Sequence, residues 1–447
     1  MNGVEGKSKF MIDLYRNRLS LPHRPRAKLF ALAAPRAVLA LALLVGCSGD
    51  RNNSSSTSNL RILHAFSGAD GAWPRGSLVA TGGFLYGGTT VGGEANNGTV
   101  FRVRPDGTGF QSLYSFTAGG DNGLGNQPHH NSLLLVGDVL VGAARQGGNT
   151  DNGAEEGTQK RGNGTLFRIE TSGSGYSVIE QFHGGERSPA TPHSPPQIAP
   201  DGRMLYGMSA SGGKHRHGTL FEMHVDGTGF RILHHFEKSK GKEPHGMVVF
   251  DGASTLLGMT RLGGTLADGR EGAGVIFRYD LTTGAHKVLH VFAKNASDNG
   301  DTNDHGFLSP TGGYYYGTTE LGGKYGQGVI FRLRADGSDF SIVHSFGADR
   351  DGKKPFGSLQ QVGEWFYGTT TVGGDHDDGT IFRLRPSDLL YERLVSFDRA
   401  TTGAFPEDNV IPSSDGSTLY GLTQAGGAHD PKAAKKFGTV FALTVSR

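Results

Sequence analysis

Three histidines and one glutamate stand at equivalent points of a repeated segment: His130, His245, His305 and Glu407. Arg75, Pro195 and Phe356 hold the corresponding point in the other copies, and His193 lies two residues before Pro195. Neutral imidazole nitrogens with one carboxylate form a donor set for a divalent cation. The plainer reading makes each of them a polar rim residue at a tolerant position of a structural ring. Nearby, Asp298, Asp301, Asn303 and Asp304 offer hard oxygen ligands at close spacing. They lack the ordered D-x-[DN]-x-[DN]-G loop and its distal Glu, so they read as a solvated acidic loop. Trp73, Arg75, Tyr325 and Phe356 lie in loops where a sugar ring could stack or pair, although aromatic rims also arise from packing alone. The chain has no G-x-S-x-G, no H-E-x-x-H and no phosphate-binding Walker loop.

These residues need elements to position them, and composition limits what those elements are. Of 447 residues 73 are Gly, 36% are apolar and 19% charged. Glycine at more than twice the usual ~7%, without a three-residue period, excludes collagen. With 26 Phe and 13 Tyr the chain is too aromatic for disorder. An all-β chain with many turns remains. The net charge of +2 hides an asymmetry: residues 1–46 hold 8 Lys/Arg and 2 Asp/Glu, and the remainder holds 36 against 40. A mildly acidic mature chain is unsuited to phosphate-driven nucleic-acid binding. The single cysteine, Cys47, excludes a disulfide framework and a thiolate zinc site.

Residues 1–46 read as an export signal, with basic residues ahead of a nine-residue apolar run, Ala37 to Val45, too short to span ~30 Å of hydrocarbon. The run ends in Leu44-Val45-Gly46-Cys47, which resembles a bacterial lipobox and implies a lipid on Cys47 after cleavage. Ser48 after the cysteine suggests sorting to the outer membrane. Residues 47–59 are polar and read as a flexible tether.

The rest, 60–447, is seven copies of one unit. G-[TV]-[VLI]-F ends at Phe101, Phe167, Phe221, Phe277, Phe331, Phe382 and Phe441. A second stretch keeps a glycine at 87, 142, 207, 258, 317, 368 and 421, and a third ends at Phe66, Phe116, Phe182, Phe236, Phe292, Phe346 and Phe397. With a short apolar stretch such as Gly76 to Thr81, each unit supplies four strands, A to D, in constant order. The expectation is a single seven-bladed β-propeller. A D-like stretch, Leu60 to Phe66, precedes the first A strand while the chain stops after a C strand. The N-terminal strand should therefore pair into the last blade and close the ring.

The pattern LYG-T-T-x-x-GG, then GT-[VI]-F-R-[LV]-x-x-DGT and LHSF, resembles the GloVer tandem repeat of "choice-of-anchor" surface proteins. Units five (YYYGTTELGGKYGQGVIFRLRADGS) and six (WFYGTTTVGGDHDDGTIFRLRP) match best. Unit two departs most, with VLVGAAR and the long loop Gln146 to Asn163. The resemblance implies an extracytoplasmic propeller and no defined activity. Repeated residues read as scaffold: Phe between blades, strand-B Gly at a close approach to an aromatic, Arg after the motif Phe in ion pairs or stem packing, and strand-D His at a surface edge. Connections A–B and C–D are short and uniform; B–C and D–A are long and variable, which makes their shared face the candidate functional face.

The leading functional reading is a surface-anchored, monomeric binding module for an extracellular glycan or protein, touching the membrane through its lipid alone. The alternative is a metal-assisted polysaccharide lyase or hydrolase with the His130, His245, His305 and Glu407 ring, which is similar to the histidine rings of carotenoid oxygenases and oligogalacturonate lyases. No cofactor is required by the sequence; a divalent metal at that ring is the one it could accommodate.

Overall fold

The computed structural model describes residues 59–117, 132–148, 162–293, 300–301 (backbone), 308–348, 350–427 and 437–445. The export segment, Cys47, the tether, His130, His305 and the 298–304 loop side chains lie outside the described residues. Among those described there are 34 strands, one 3-10 turn at Lys238–Lys240 and no α-helix.

The strands build seven antiparallel sheets of the expected A-B-C-D order. Blade 1 comprises Val79–Thr81, Phe84–Val91, Thr99–Val103 and Gln111–Ser115; blade 4, with Val249–Phe250, Thr255–Thr260, Val275–Asp280 and His286–Val291, repeats the plan. Blade 7 takes its A, B and C strands from Ile411–Pro412, Thr418–Thr423 and Thr439–Thr444, and its D strand from Leu60–Ala65. Leu60 pairs with Leu443, Ile62 with Phe441 and Ala65 with Thr439, so the N-terminal strand covers the edge that the C-terminal strand would otherwise expose.

Phenylalanine joins the blades. Each strand-D Phe packs against the motif Phe of the next blade, edge-on in all but the tilted Phe346–Phe382 pair: Phe116 on Phe167 at 5.4 Å, Phe236 on Phe277 at 5.2 Å, Phe397 on Phe441 at 5.3 Å. Phe66 on Phe101, at 5.2 Å, carries the series across the closure. Such pairs add about 0.5–1.5 kcal/mol beyond the area they bury. The strand-B glycine makes room for them. Gly258 is the cross-strand partner of Phe277, and a β-carbon there would lie 2.5 Å from the ring's Cζ. At Gly87 the same construction meets Phe101 at 2.7 Å.

Strand D differs from the expected plain alternation. In all seven blades the C–D register slips beside the motif Phe, which marks a β-bulge. The extra residue is always aliphatic: Leu63, Leu113, Ile179, Leu233, Leu289, Val343 or Leu394. The bulge turns the next side chain inward along the seam, so the strand-D histidines are half-buried stacking partners and not surface edge residues. His64 stacks on Phe110 at 3.6 Å, His290 on Phe340 at 3.7 Å, and His344 on Tyr391 at 3.8 Å; His234 lies 4.3 Å from His286. The arginines after the motif Phe follow the sequence reading. Arg383 lies over Trp365 at 4.0 Å and pairs with Glu392 at 2.6 Å, while Arg102 lies over Phe84 at 4.6 Å.

Candidate functional site

The D–A and B–C connections share one face, because they pair with each other. Ala72 bonds across to Val91, Ala190 to Ser211, Lys353 to Val372, and Ala404 to Ala425. Where the D–A connections turn down toward strand A, the five that are described at this point each carry a residue in the left-handed region followed by proline. They are Trp73 (φ 54°), Thr191 (52°), Glu243 (55°), Lys354 (57°) and Phe405 (60°). A non-glycine residue tolerates that conformation only when its surroundings fix it. Here the fixing contacts come from the preceding blade. The amide N–H of Trp73 donates to Phe437 O (2.9 Å), that of Glu243 to His217 O (2.9 Å), and that of Phe405 to Asp378 O (2.9 Å). The proline then seats over the glycine that opens the preceding C strand: a β-carbon at Gly218 would be 2.7 Å from Pro244 Cδ, and one at Gly379 2.6 Å from Pro406 Cδ.

The next residue is the one read as a possible metal ligand. Register corrects the assignment in unit three. Gln197 pairs with Tyr206 as Val79 pairs with Tyr86, which makes His193, not Pro195, the counterpart of Arg75. A run of prolines without an apolar anchor at 195–196 hid that alignment. The described members of the series are Arg75, His193, His245, Phe356 and Glu407, and four of them meet in two pairs across neighbouring blades. Arg75 Nε lies 2.8 Å from Glu407 Oε2, joining blades 1 and 7, and both side chains are nearly inaccessible at 9% and 2%. Gln424, with its amide oriented to satisfy both, donates to Glu407 at 3.0 Å and accepts from Arg75 Nε at 2.9 Å. His193 stacks on His245 with ring centroids 3.9 Å apart, joining blades 3 and 4, and Ser194 Oγ donates to His245 O at 2.8 Å. Phe356 is buried. Among the described residues no three His, Cys, Asp or Glu are grouped so as to hold a metal ion.

The residue after Glu407 is one the sequence did not single out. Asp408 is buried; its Oδ1 accepts from Ser77 Oγ at 3.2 Å and from the Asn409 amide at 2.9 Å, and its Oδ2 lies 3.5 Å from Ser132 Oγ. Ser77 also donates to Asn409 Oδ1. Blades 1, 2 and 7 therefore meet at one carboxylate. Burial pushes Asp408 up to about 6, against the opposing pull of those hydrogen bonds. Its signal in the sequence is slight: an Asp-Asn pair where units one and six carry Gly-Ser and unit four Gly-Met.

Farther out, the face carries clefts at the seams between blades. One of about 570 Å³ is lined by His215, His217, Glu237, Lys238, Ser239, Gly264, Thr265, Gly269 and Glu271, from blades 3 and 4. A second of about 570 Å³ lies between blades 5 and 6, bounded by Ala348, Arg350, Asp351, Lys353 and Asp375. Of the aromatic residues considered for stacking, Trp73 is half-buried in its strained turn, and Tyr325 is 43% exposed with Lys324 Nζ 5.1 Å from its ring.

The Gloeobacter/Verrucomicrobia repeat matches residues 154–315 and 262–447, which overlap over 262–315 and together run from unit two to the end of unit seven. None of the curated proteins matches the chain in sequence. Among solved structures, an oligogalacturonate lyase in complex with manganese is similar with a TM-score of 0.52 at 13% identity, covering 88% of this chain and 95% of that one. A periplasmic gluconolactonase of Pseudomonas aeruginosa gives 0.47 at 15% identity, covering 79% and 94%. TolB of Acinetobacter baumannii gives 0.40 at 11%, covering 82% and 80%. At such identities the first of these likenesses concerns the propeller fold alone.

Proposed function

This chain belongs to the Gloeobacter/Verrucomicrobia repeat family, and we propose that it is an exported binding module, held at the outer membrane by a lipid on Cys47, whose D–A/B–C face takes an extracellular glycan or protein partner. One observation carries this reading. The described channel-mouth side chains are engaged with neighbouring blades, Arg75 with Glu407 and His193 with His245, while the variable loops beyond them form clefts open to solvent. A rigid ring with variable loops on one face is an arrangement suited to recognition. Glu407, already neutralised by a buried guanidinium, is a poor ligand for a second cation.

The test has two arms. Cys47→Ser should move the protein from the membrane fraction to the soluble one. The purified protein, offered a panel of extracellular polysaccharides and envelope proteins, should bind at least one saturably without consuming it. Cleavage of a polysaccharide, together with a stoichiometric divalent ion by elemental analysis, would replace this reading with the lyase or hydrolase. Retention of the Cys47→Ser protein in the membrane would refute the anchor.

A further inference from the structure

The two seam clefts are alike in place and size but differ in the charge around them. Between blades 5 and 6 the cations are matched: Arg393 lies 3.0 Å from Asp375, Lys353 3.1 Å from Asp377, and Arg350 3.9 Å from Asp375. Between blades 3 and 4 the cleft lining holds Lys238, Glu237, Glu271, His215 and His217, and the adjoining loop residues Lys214, Arg216, Lys240 and Lys242 raise the local count to five Lys/Arg against two carboxylates. Lys238 and Lys242 share Glu271 at 3.1 and 3.2 Å, and Lys240 takes Glu237 at 2.8 Å. Lys214 and Arg216 are exposed and make no ion pair among the described residues. The concentration of positive charge is felt by its neighbours. Burial first, then Lys242 and His215, lowers His217, and burial followed by His215 and Lys214 lowers His235. This stands out on a chain whose portion from Cys47 onward carries more Asp and Glu than Lys and Arg.

We propose that the cleft between blades 3 and 4 is a binding site for an anionic polysaccharide, with Lys214, Arg216 and Lys238 meeting its acidic groups and Glu271 as the internal counter-ion that the ligand displaces. The inference rests on the binding-module reading and names its ligand class. The volume falls within the ~300–1,000 Å³ of small-ligand sites, which suits a few sugar residues and not a broad macromolecular surface. Ser239 and Thr265 hydroxyls stand beside the charges, as a polyhydroxylated chain requires. Lys238 keeps its side chain 60% exposed while paired, so its ammonium has donors to spare for an incoming carboxylate or sulfate.

The experiment is affinity electrophoresis and calorimetry of the full chain with alginate as polyuronate, neutral dextran, and a single-stranded DNA oligomer of matched charge. Alginate should bind, dextran and DNA should not, and affinity should fall as NaCl rises from about 50 to 200 mM. Arg216→Ala with Lys238→Ala should weaken alginate binding about tenfold. Glu271→Gln should strengthen it about threefold by freeing both lysines. Arg350→Ala with Lys353→Ala should change it less than about twofold. Absence of alginate binding, equal capture of DNA, or equal losses from the two double variants would overturn the assignment. If alginate fails but another glycan or a protein binds this face, the inference alone falls. If a polysaccharide is cleaved, the binding-module reading falls with it.

Discussion

Replacing Glu407 by Gln tests how the joint between blades 7 and 1 is built. The carboxylate is 2% exposed and the guanidinium opposite it 9%, with 2.8 Å between them. Removing one charge of such a pair strands the other in a poorly solvated seam, which costs about 3–5 kcal/mol. That is a large part of a domain stability of about 5–15 kcal/mol. Replacing both partners by apolar residues of similar volume, Arg75→Met with Glu407→Leu, should recover most of the loss, because neither charge is left behind. Urea unfolding followed by tryptophan fluorescence is a suitable assay, since Trp73 lies two residues from Arg75. Arg75→Met alone, Glu407→Leu alone and the two together close a double-mutant cycle whose coupling energy should exceed about 2 kcal/mol. A loss under about 1 kcal/mol for Glu407→Gln, or an additive cycle, would refute the claim that this pair is a structural joint and would return Glu407 to the metal-ligand reading.

Three further outcomes follow from the seams. Gly258→Ala should cost about 1–3 kcal/mol in urea unfolding by forcing a β-carbon against the Phe277 ring, and Phe277→Leu in the same chain should recover part of it. The stacked His234 and His286 are lowered to about 4 and about 3, chiefly by burial. Their contribution is therefore complete above the unfolded value of about 6.5 and is lost as pH falls from there toward 3, roughly 1–2 kcal/mol each after solvent screening; His286→Phe should flatten that slope in a pH series of melting temperatures. Asp408 has the opposite sign. With its carboxyl raised to about 6, the protonated form stabilises the folded state at low pH, and that advantage is lost as pH rises from about 4 through 6, so Asp408→Asn should be the more stable chain near pH 7 by about 1–3 kcal/mol.

What the sequence disclosed and what it hid divide along a physical line. Phe101 and its six counterparts, Gly87 and its counterparts, and the unpaired D-like stretch at Leu60 keep one residue type at one place in every unit, so the ring, its blade count and its closure were legible. The stacking position of Phe110 was not, because Tyr176, His286 and Tyr391 do the same work in other blades and only their shape is shared. Strand-D histidines were placed on the wrong side because the bulge at Leu63 and its counterparts breaks period-two alternation. Pro74, Pro192, Pro244, Pro355 and Pro406 recur visibly, but what they press on is a glycine of the neighbouring blade, a contact that no spacing within one unit encodes. The site residues were legible as a ring and not as pairs. Whether a rim histidine faces a channel or another histidine depends on the blade beside it.

The central claim is a ring of seven blades closed by its own N-terminal strand, and a cross-link across that closure tests it most directly. Arg61 and Ala442 are register partners. Opposed residues of an antiparallel pair have Cα atoms about 4.5–5.5 Å apart, within the range a disulfide spans. On a Cys47→Ser background, the Arg61→Cys and Ala442→Cys chain should oxidise to an intramolecular disulfide, seen as a mass loss of two hydrogens and a higher melting temperature that reductant reverses. Two free thiols that a maleimide labels in the native protein, with no disulfide under mild oxidant, would contradict the closure and the ring built on it.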